Sequence, residues 1–139
     1  MVKQMAVFME NRKGRISQLT GVLKNNGIDL VTLSIADTKD FGILRCITRD
    51  NDRAEKLLRD AGFTVTTTEL IGVEVPDEPG RLNEVLELLD RSDINVEYLY
   101  SFARLKDGSG IILFKVENDK LALDILKENG IKVLQDESI

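Results

Sequence analysis

Glu10-Asn11-Arg12-Lys13-Gly14-Arg15-Ile16 and Pro76-Asp77-Glu78-Pro79-Gly80-Arg81-Leu82 are two versions of one turn. Gly14-Arg15-Ile16 returns as Gly80-Arg81-Leu82, 66 residues later (80 − 14). The same spacing pairs Leu19 with Val85, Val22 with Leu88, Leu23 with Leu89, Ile28 with Ile94 and Leu33 with Leu99. Further on the offset becomes 68 (110 − 42), where Gly42-Ile43-Leu44 matches Gly110-Ile111-Ile112. That offset carries Ala54 to Ala122, Leu57 to Ile125, Leu58 to Leu126, Gly62 to Gly130 and Val65 to Val133. A two-residue insertion in the turn Lys106-Asp107-Gly108-Ser109 accounts for the change. Matched apolar positions in one order mark an internal duplication, with halves at 1–69 and 70–139.

Each half reads as strand, helix, strand, strand, helix, strand. Met5–Met9 and Leu70–Val75 are short strand-like runs, each followed by polar turn residues. Ile16, Leu19, Val22 and Leu23 form a helical stripe, and Leu82, Val85, Leu86, Leu88 and Leu89 repeat it. Asn25-Asn26-Gly27 supplies a helix stop. Strands follow at Leu30–Ala36 and Val96–Ala103, with hairpin partners at Ile43–Thr48 and Ile111–Glu117. Helices at Asp52–Ala61 and Lys120–Asn129 end on Gly62 and Gly130, and last strands run over Phe63–Thr68 and Ile131–Gln135. The expected fold is α+β: two tandem βαββαβ, ferredoxin-like units, each an antiparallel sheet with its helices on one face. Units of about 70 residues bury too little surface to be more than marginally stable alone. Close docking of the halves is therefore expected, and no Pro- or Ser-rich linker separates them.

Composition narrows the function. The formal net charge is −5, which disfavours nucleic acid. No apolar run approaches the roughly 20 residues that span a bilayer, and no secretory segment opens the chain, so the expectation is a cytoplasmic protein without a membrane role. There is no histidine, which removes Ser-His-Asp and Cys-His catalysis and the commonest zinc ligand. The lone Cys46 lies among Ile43, Leu44 and Ile47 and reads as a buried structural thiol. Neither catalysis nor a cofactor is expected.

The repeated turn is where chemistry can reside. A polar residue, a glycine three positions on and then an apolar helix leave main-chain N–H groups free at a helix N-terminus, a favourable place for a carboxylate or phosphate. The alternative is that Asn11 and Asp77 simply cap their helices, worth about 1 kcal/mol each.

Asp77-Glu78-Pro79-Gly80-Arg81-Leu82 resembles the D-x-P-G-x-L signature of ACT domains, and Ile94-Asn95-Val96 resembles the I-N-I that opens their second strand. As two copies, the resemblance covers nearly the whole chain. It implies a regulatory module that binds a free amino acid, or a similar small carboxylate, where two domains meet. Ligand groups in that family come from the first turn of one domain and the second-strand start of its neighbour. By position this points to Asn11, Gly14, Arg15 and Ile16 with Asp29 and Leu30 in the first half. In the second half it points to Asp77, Gly80, Arg81 and Leu82 with Asn95 and Val96. Glu10-Asn11-Arg12-Lys13-Gly14 also resembles the E-N-R-P-G turn of serine-sensitive phosphoglycerate dehydrogenases, in which the asparagine contacts the ligand. Lys13 replaces the proline, Asp29 replaces the strand asparagine, and Met9 and Val75 stand where those enzymes have histidine. The two sites are therefore expected to differ, and serine is not implied. A homodimer and a separate metabolic enzyme are the partners the resemblance suggests.

Three rival readings stand beside this one. Tyr98, Tyr100 and Phe102 share one strand face, as RNA-stacking aromatics do, but Thr32, Ser34 and Ala36 occupy that place in the first half, and packing accounts for them better. An acylphosphatase-like hydrolase needs a phosphate loop that Asn11-Arg12-Lys13-Gly14 matches poorly, and acids such as Asp50, Asp52 and Asp119 stand at helix starts, where dipole and capping explain them. A docking subunit that regulates a partner enzyme without using a ligand site is the stronger alternative.

Overall fold

The computed structural model describes residues 1–37, 40–104 and 107–135. Lys106, expected in the second hairpin turn, lies outside them, as does Leu105. Along the chain come β1 (Val2–Glu10), α1 (Arg15–Asn25), β2 (Leu30–Asp37), β3 (Phe41–Thr48), α2 (Asn51–Asp60) and β4 (Thr64–Val75). Then follow α3 (Arg81–Arg91), β5 (Val96–Arg104), β6 (Gly110–Val116), α4 (Asp119–Glu128) and β7 (Lys132–Val133). The fold is the expected α+β pair, with seven strands among the described residues where the repeat predicts eight. The last strand of the first half and the first strand of the second are one element. Between them stand Thr66-Thr67-Thr68-Glu69, and three β-branched residues favour continuing a strand over turning it. β7 keeps only two residues of its predicted span.

The chain forms two compact units, Lys3–Thr68 and a second that runs from Glu69 onward and includes Met1 and Val2. In the first, hydrogen-bonded neighbours run β2-β3-β1-β4; in the second, β5-β6-β4-β7. Each helix buries one pair of residues four apart: Leu19 and Leu23, Ala54 and Leu58, Val85 and Leu89, Ala122 and Leu126. That spacing is one helical face. In the first unit these side chains meet Met5, Val7 and Met9 of β1 and Leu44 and Cys46 of β3. In the second they meet Ile71, Val73 and Val75 of β4 and Ile112, Phe114 and Val116 of β6. Tyr98, Tyr100 and Phe102 are half-buried and lie opposite Lys115, Leu113 and Ile111 of β6. No helix among the described residues is long and apolar enough to cross a membrane.

The four helices begin in two ways. Asp50 and Asn118 cap α2 and α4, accepting the N–H of Arg53 at 3.2 Å and of Leu121 at 3.1 Å. At α1 and α3 the cap position belongs to Gly14 (φ 89°) and Gly80 (φ 84°). This left-handed conformation suits glycine, which also has no side chain with which to cap. Asn11 and Asp77 thus stand three residues ahead of the cap position that the alternative reading gave them.

Candidate functional site

In the first unit, Asn11 N–H donates to the Asp40 carbonyl at 2.9 Å and Arg12 N–H to the Glu10 carbonyl at 2.9 Å, which turns the chain out of β1. The first main-chain bond of α1 joins Gln18 N–H to the Gly14 carbonyl at 2.9 Å. Ile16 and Ser17 precede it, so their N–H groups point out of the helix end. Ile16 itself is 43% exposed. The Arg15 guanidinium lies 4.3 Å from the Phe63 ring centroid, and its Nη1 donates to Gln18 Oε1 at 2.7 Å. Arg15 Nε is buried and has no hydrogen-bond partner among the described residues.

The second unit repeats the backbone of this turn and changes its side chains. Glu78 N–H donates to the Pro76 carbonyl at 2.8 Å and Glu84 N–H to the Gly80 carbonyl at 3.0 Å. Arg81 Nε donates to Glu78 Oε2 at 2.9 Å, and its Nη1 lies 3.3 Å from Glu84 Oε2. Hydrogen bonds to Glu78 and then Glu84 raise the Arg81 pKa above its ordinary value.

The strand-start residues stand elsewhere. Asp29 and Leu30 follow α1, and Asn95 and Val96 follow α3, whereas the glycine turns precede those helices. A helix of 11 residues separates the two sets by about 16 Å within one unit. The Asp29 carbonyl accepts Arg49 N–H at 3.0 Å, with the Arg49 Nε 3.9 Å from the Asp29 carboxylate. At the matching place Asn95 Nδ2 lies 3.5 Å from Glu117 Oε1. Asn95 and Val96 also border a shallow hollow of about 350 Å³ beside Leu86 and Asp90.

A larger cleft, about 700 Å³, opens at the turn end of the second unit. Asp77 and Arg81 line it, together with Glu74, Asp107, Ser109 and Lys132. Glu74 Oε2 accepts Lys132 Nζ at 2.6 Å, which raises the lysine pKa. Ser109 Oγ lies 2.6 Å from Asp107 Oδ1 and 3.0 Å from Glu74 Oε1, and Ser109 N–H also donates to Asp107. These bonds hold the Asp107 carboxyl below the usual range. Glu74, Ser109 and Lys132 escape the sequence reading because β4, the β5–β6 hairpin and β7 bring them together from distant positions. The inserted hairpin residues of the second half were the one visible signal.

The cleft and turns present fixed donors and acceptors, among them the Ser109 hydroxyl held between the Asp107 and Glu74 carboxylates, an arrangement suited to binding. Among the described residues no group of acids and cysteine is placed to hold a metal ion.

Comparison with known proteins agrees with this architecture. The family model for an ACT domain pair matches residues 1–139. The crystal structure of protein BT0572 from Bacteroides thetaiotaomicron is 37% identical, with a TM-score of 0.91, over 97% of this chain and 92% of that one. The ligand-free regulatory subunit of aspartate kinase from Thermus thermophilus superposes with a TM-score of 0.65 at 11% identity, over 91% of each chain. Its counterpart from Thermus flavus gives 0.62 at 12% identity, over 91% of this chain and 90% of that one. At these lower identities the likeness is one of fold. No curated protein sequence matches the chain.

Proposed function

Because the chain belongs to the ACT domain pair family, we propose that it is a non-catalytic cytoplasmic sensor of a free amino acid, which regulates an enzyme carried on a separate chain. The observation that carries this reading is the pair of helix ends begun by Gly14 and Gly80, where main-chain N–H groups face outward at repeat-equivalent turns. A ligand carboxylate there gains charge-assisted hydrogen bonds of roughly 1.5–3 kcal/mol each. Three to five of these, less the ordering costs, suffice for micromolar affinity, about −8 kcal/mol. Asn11, Asp77, Asp29 and Asn95 are the groups proposed to receive the ammonium. The turn and strand-start sets stand a helix length apart within each unit, so a ligand held by both draws them from different repeats or different copies of the chain. The regulatory subunits of aspartate kinase, which share the fold, illustrate the kind of enzyme partner meant.

A thermal-shift screen against the twenty amino acids, followed by calorimetry, tests the reading. At a hundredfold excess over Kd a true ligand adds roughly 2.7 kcal/mol of stability, several degrees for a chain of this size. Asn11→Ala or Asp77→Ala is expected to weaken that binding. Unchanged titrations in both variants would remove these residues from the site, and a screen without any hit would remove the sensor.

One feature favours the docking reading beside it. Phe8, 50% exposed, stacks on Phe41, 44% exposed, with centroids 5.1 Å apart, and Ile43 lies opposite Phe8 on the same face. Exposed apolar groups so arranged suit contact with a protein surface. Phe8→Asp is then expected to weaken association with a partner while leaving amino-acid affinity unchanged, as read by calorimetry.

A further inference from the structure

The same nine-residue window carries opposite charge in the two repeats. Residues 10–18 hold Arg12, Lys13 and Arg15 against Glu10, whereas residues 76–84 hold Asp77, Glu78 and Glu84 against Arg81. The reversal falls on the neighbours of one shared arginine. Arg81 is gripped by Glu78 and Glu84 at 2.8 and 3.3 Å. The positions of those two acids are filled in the first repeat by Arg12 and Gln18. Arg12 pairs with Glu10 at 3.5 Å, and the hydrogen-bond partner of Arg15 is the neutral Gln18 amide oxygen. Arg15 also rests on Phe63, which fixes its place at the helix end, and its Nε is buried without an acceptor among the described residues.

We propose that the first-repeat turn takes the anionic end of an acidic amino acid, with Arg15 and the Ile16 and Ser17 N–H groups as its receptors, and that the second-repeat turn does not. The inference rests on the sensor reading above and names its ligand class. A neutral zwitterion brings its ammonium toward three cations at this turn. A dicarboxylic amino acid brings a net negative charge to the same field, and the positive end of α1 adds to the attraction. In the second repeat the carboxylates of Asp77, Glu78 and Glu84 oppose that charge, and Arg81 is already occupied.

The test is an NMR titration of the amide cross-peaks of Ile16, Ser17, Leu82 and Asn83 with L-aspartate, L-glutamate, L-leucine and L-lysine, with calorimetry alongside. Shifts at Ile16 and Ser17 are expected with the two acidic amino acids, at affinities at least tenfold above those for leucine or lysine. Arg12→Glu with Gln18→Glu rebuilds the second-repeat clamp around Arg15 at two exposed positions and is expected to weaken the acidic ligands at least tenfold. Glu78→Arg with Glu84→Gln is expected to bring the same shifts to Leu82 and Asn83. Binding of neutral or basic amino acids at the first turn without preference for acidic ones, or indifference to Arg12→Glu/Gln18→Glu, overturns the inference and leaves the sensor reading standing. Failure of all twenty amino acids to bind overturns the sensor reading and this inference with it.

Discussion

Cys46 shows how one side chain ties packing to pH. It is fully buried among the apolar side chains of the first unit, and burial alone pushes its thiol up to about 12 from 9.0. The folded pKa lies above the unfolded one, so the unfolded chain ionises first. The stability contribution is therefore complete below pH 9 and declines by about 1.4 kcal/mol per unit above it, toward pH 12. Urea unfolding at pH 8 and pH 10 is expected to show a loss of roughly 1 kcal/mol that Cys46→Ala abolishes. Asp93 offers a second test. It holds φ 57° at the position matching Gly27, the helix stop of the first repeat. A side chain in that region costs about 1–2 kcal/mol, somewhat less for aspartate. Asp93→Gly is expected to raise the denaturation midpoint, corresponding to about 0.5–1 kcal/mol.

At the scale of elements, the caps separate helix ends held by a side chain, at α2 and α4, from those begun by glycine, at α1 and α3. Asp50→Ala and Asn118→Ala each remove a side-chain acceptor and are expected to cost about 1 kcal/mol in chemical denaturation. Gly72 is a different kind of constraint, imposed by close approach. A Cβ there would stand 3.3 Å from Leu113 Cδ2 and from Val2 Cγ2, and 3.4 Å from Leu134 Cβ. Gly72→Val is accordingly expected to destabilise by about 1–3 kcal/mol. The helices and their buried pairs were legible because apolar residues four apart on one helix are a local signal. So was the insertion, since Asp107-Gly108-Ser109 breaks the repeat offset. The merging of two predicted strands into β4 was not, because continuity through Thr68 and Glu69 is decided by pairing partners far along the chain. The Arg81 clamp was not read from the sequence, although acids three residues to either side of the arginine are a local signal. The Glu74–Lys132 and Glu74–Ser109 contacts needed the register of β4 with β6 and β7, which no local pattern encodes.

Across the whole molecule the duplication is kept more closely in fold than in chemistry. Equivalent backbone turns carry opposite charge, and Asp29–Arg49 becomes Asn95–Glu117 at the strand starts. A repeat can diverge this way because exposed charges contribute little to stability, typically under about 1 kcal/mol, and leave the core untouched. The division into units is likewise not the division of the sequence, since Val2, 1% exposed, belongs to the second unit. Val2→Ala is expected to cost about 2 kcal/mol and to speed hydrogen exchange in the β4–β6 ladder more than in the β1–β3 ladder. The same placement has a consequence for the order of assembly. Thr68 completes the first unit, so that unit can close while the remainder is still being synthesised. Val2 leaves the ribosome 132 residues ahead of Leu134 (134 − 2), yet both press on Gly72. The second unit thus has to recover a residue that has waited through the making of both repeats, and a contact of such long sequence separation is expected to form late in folding.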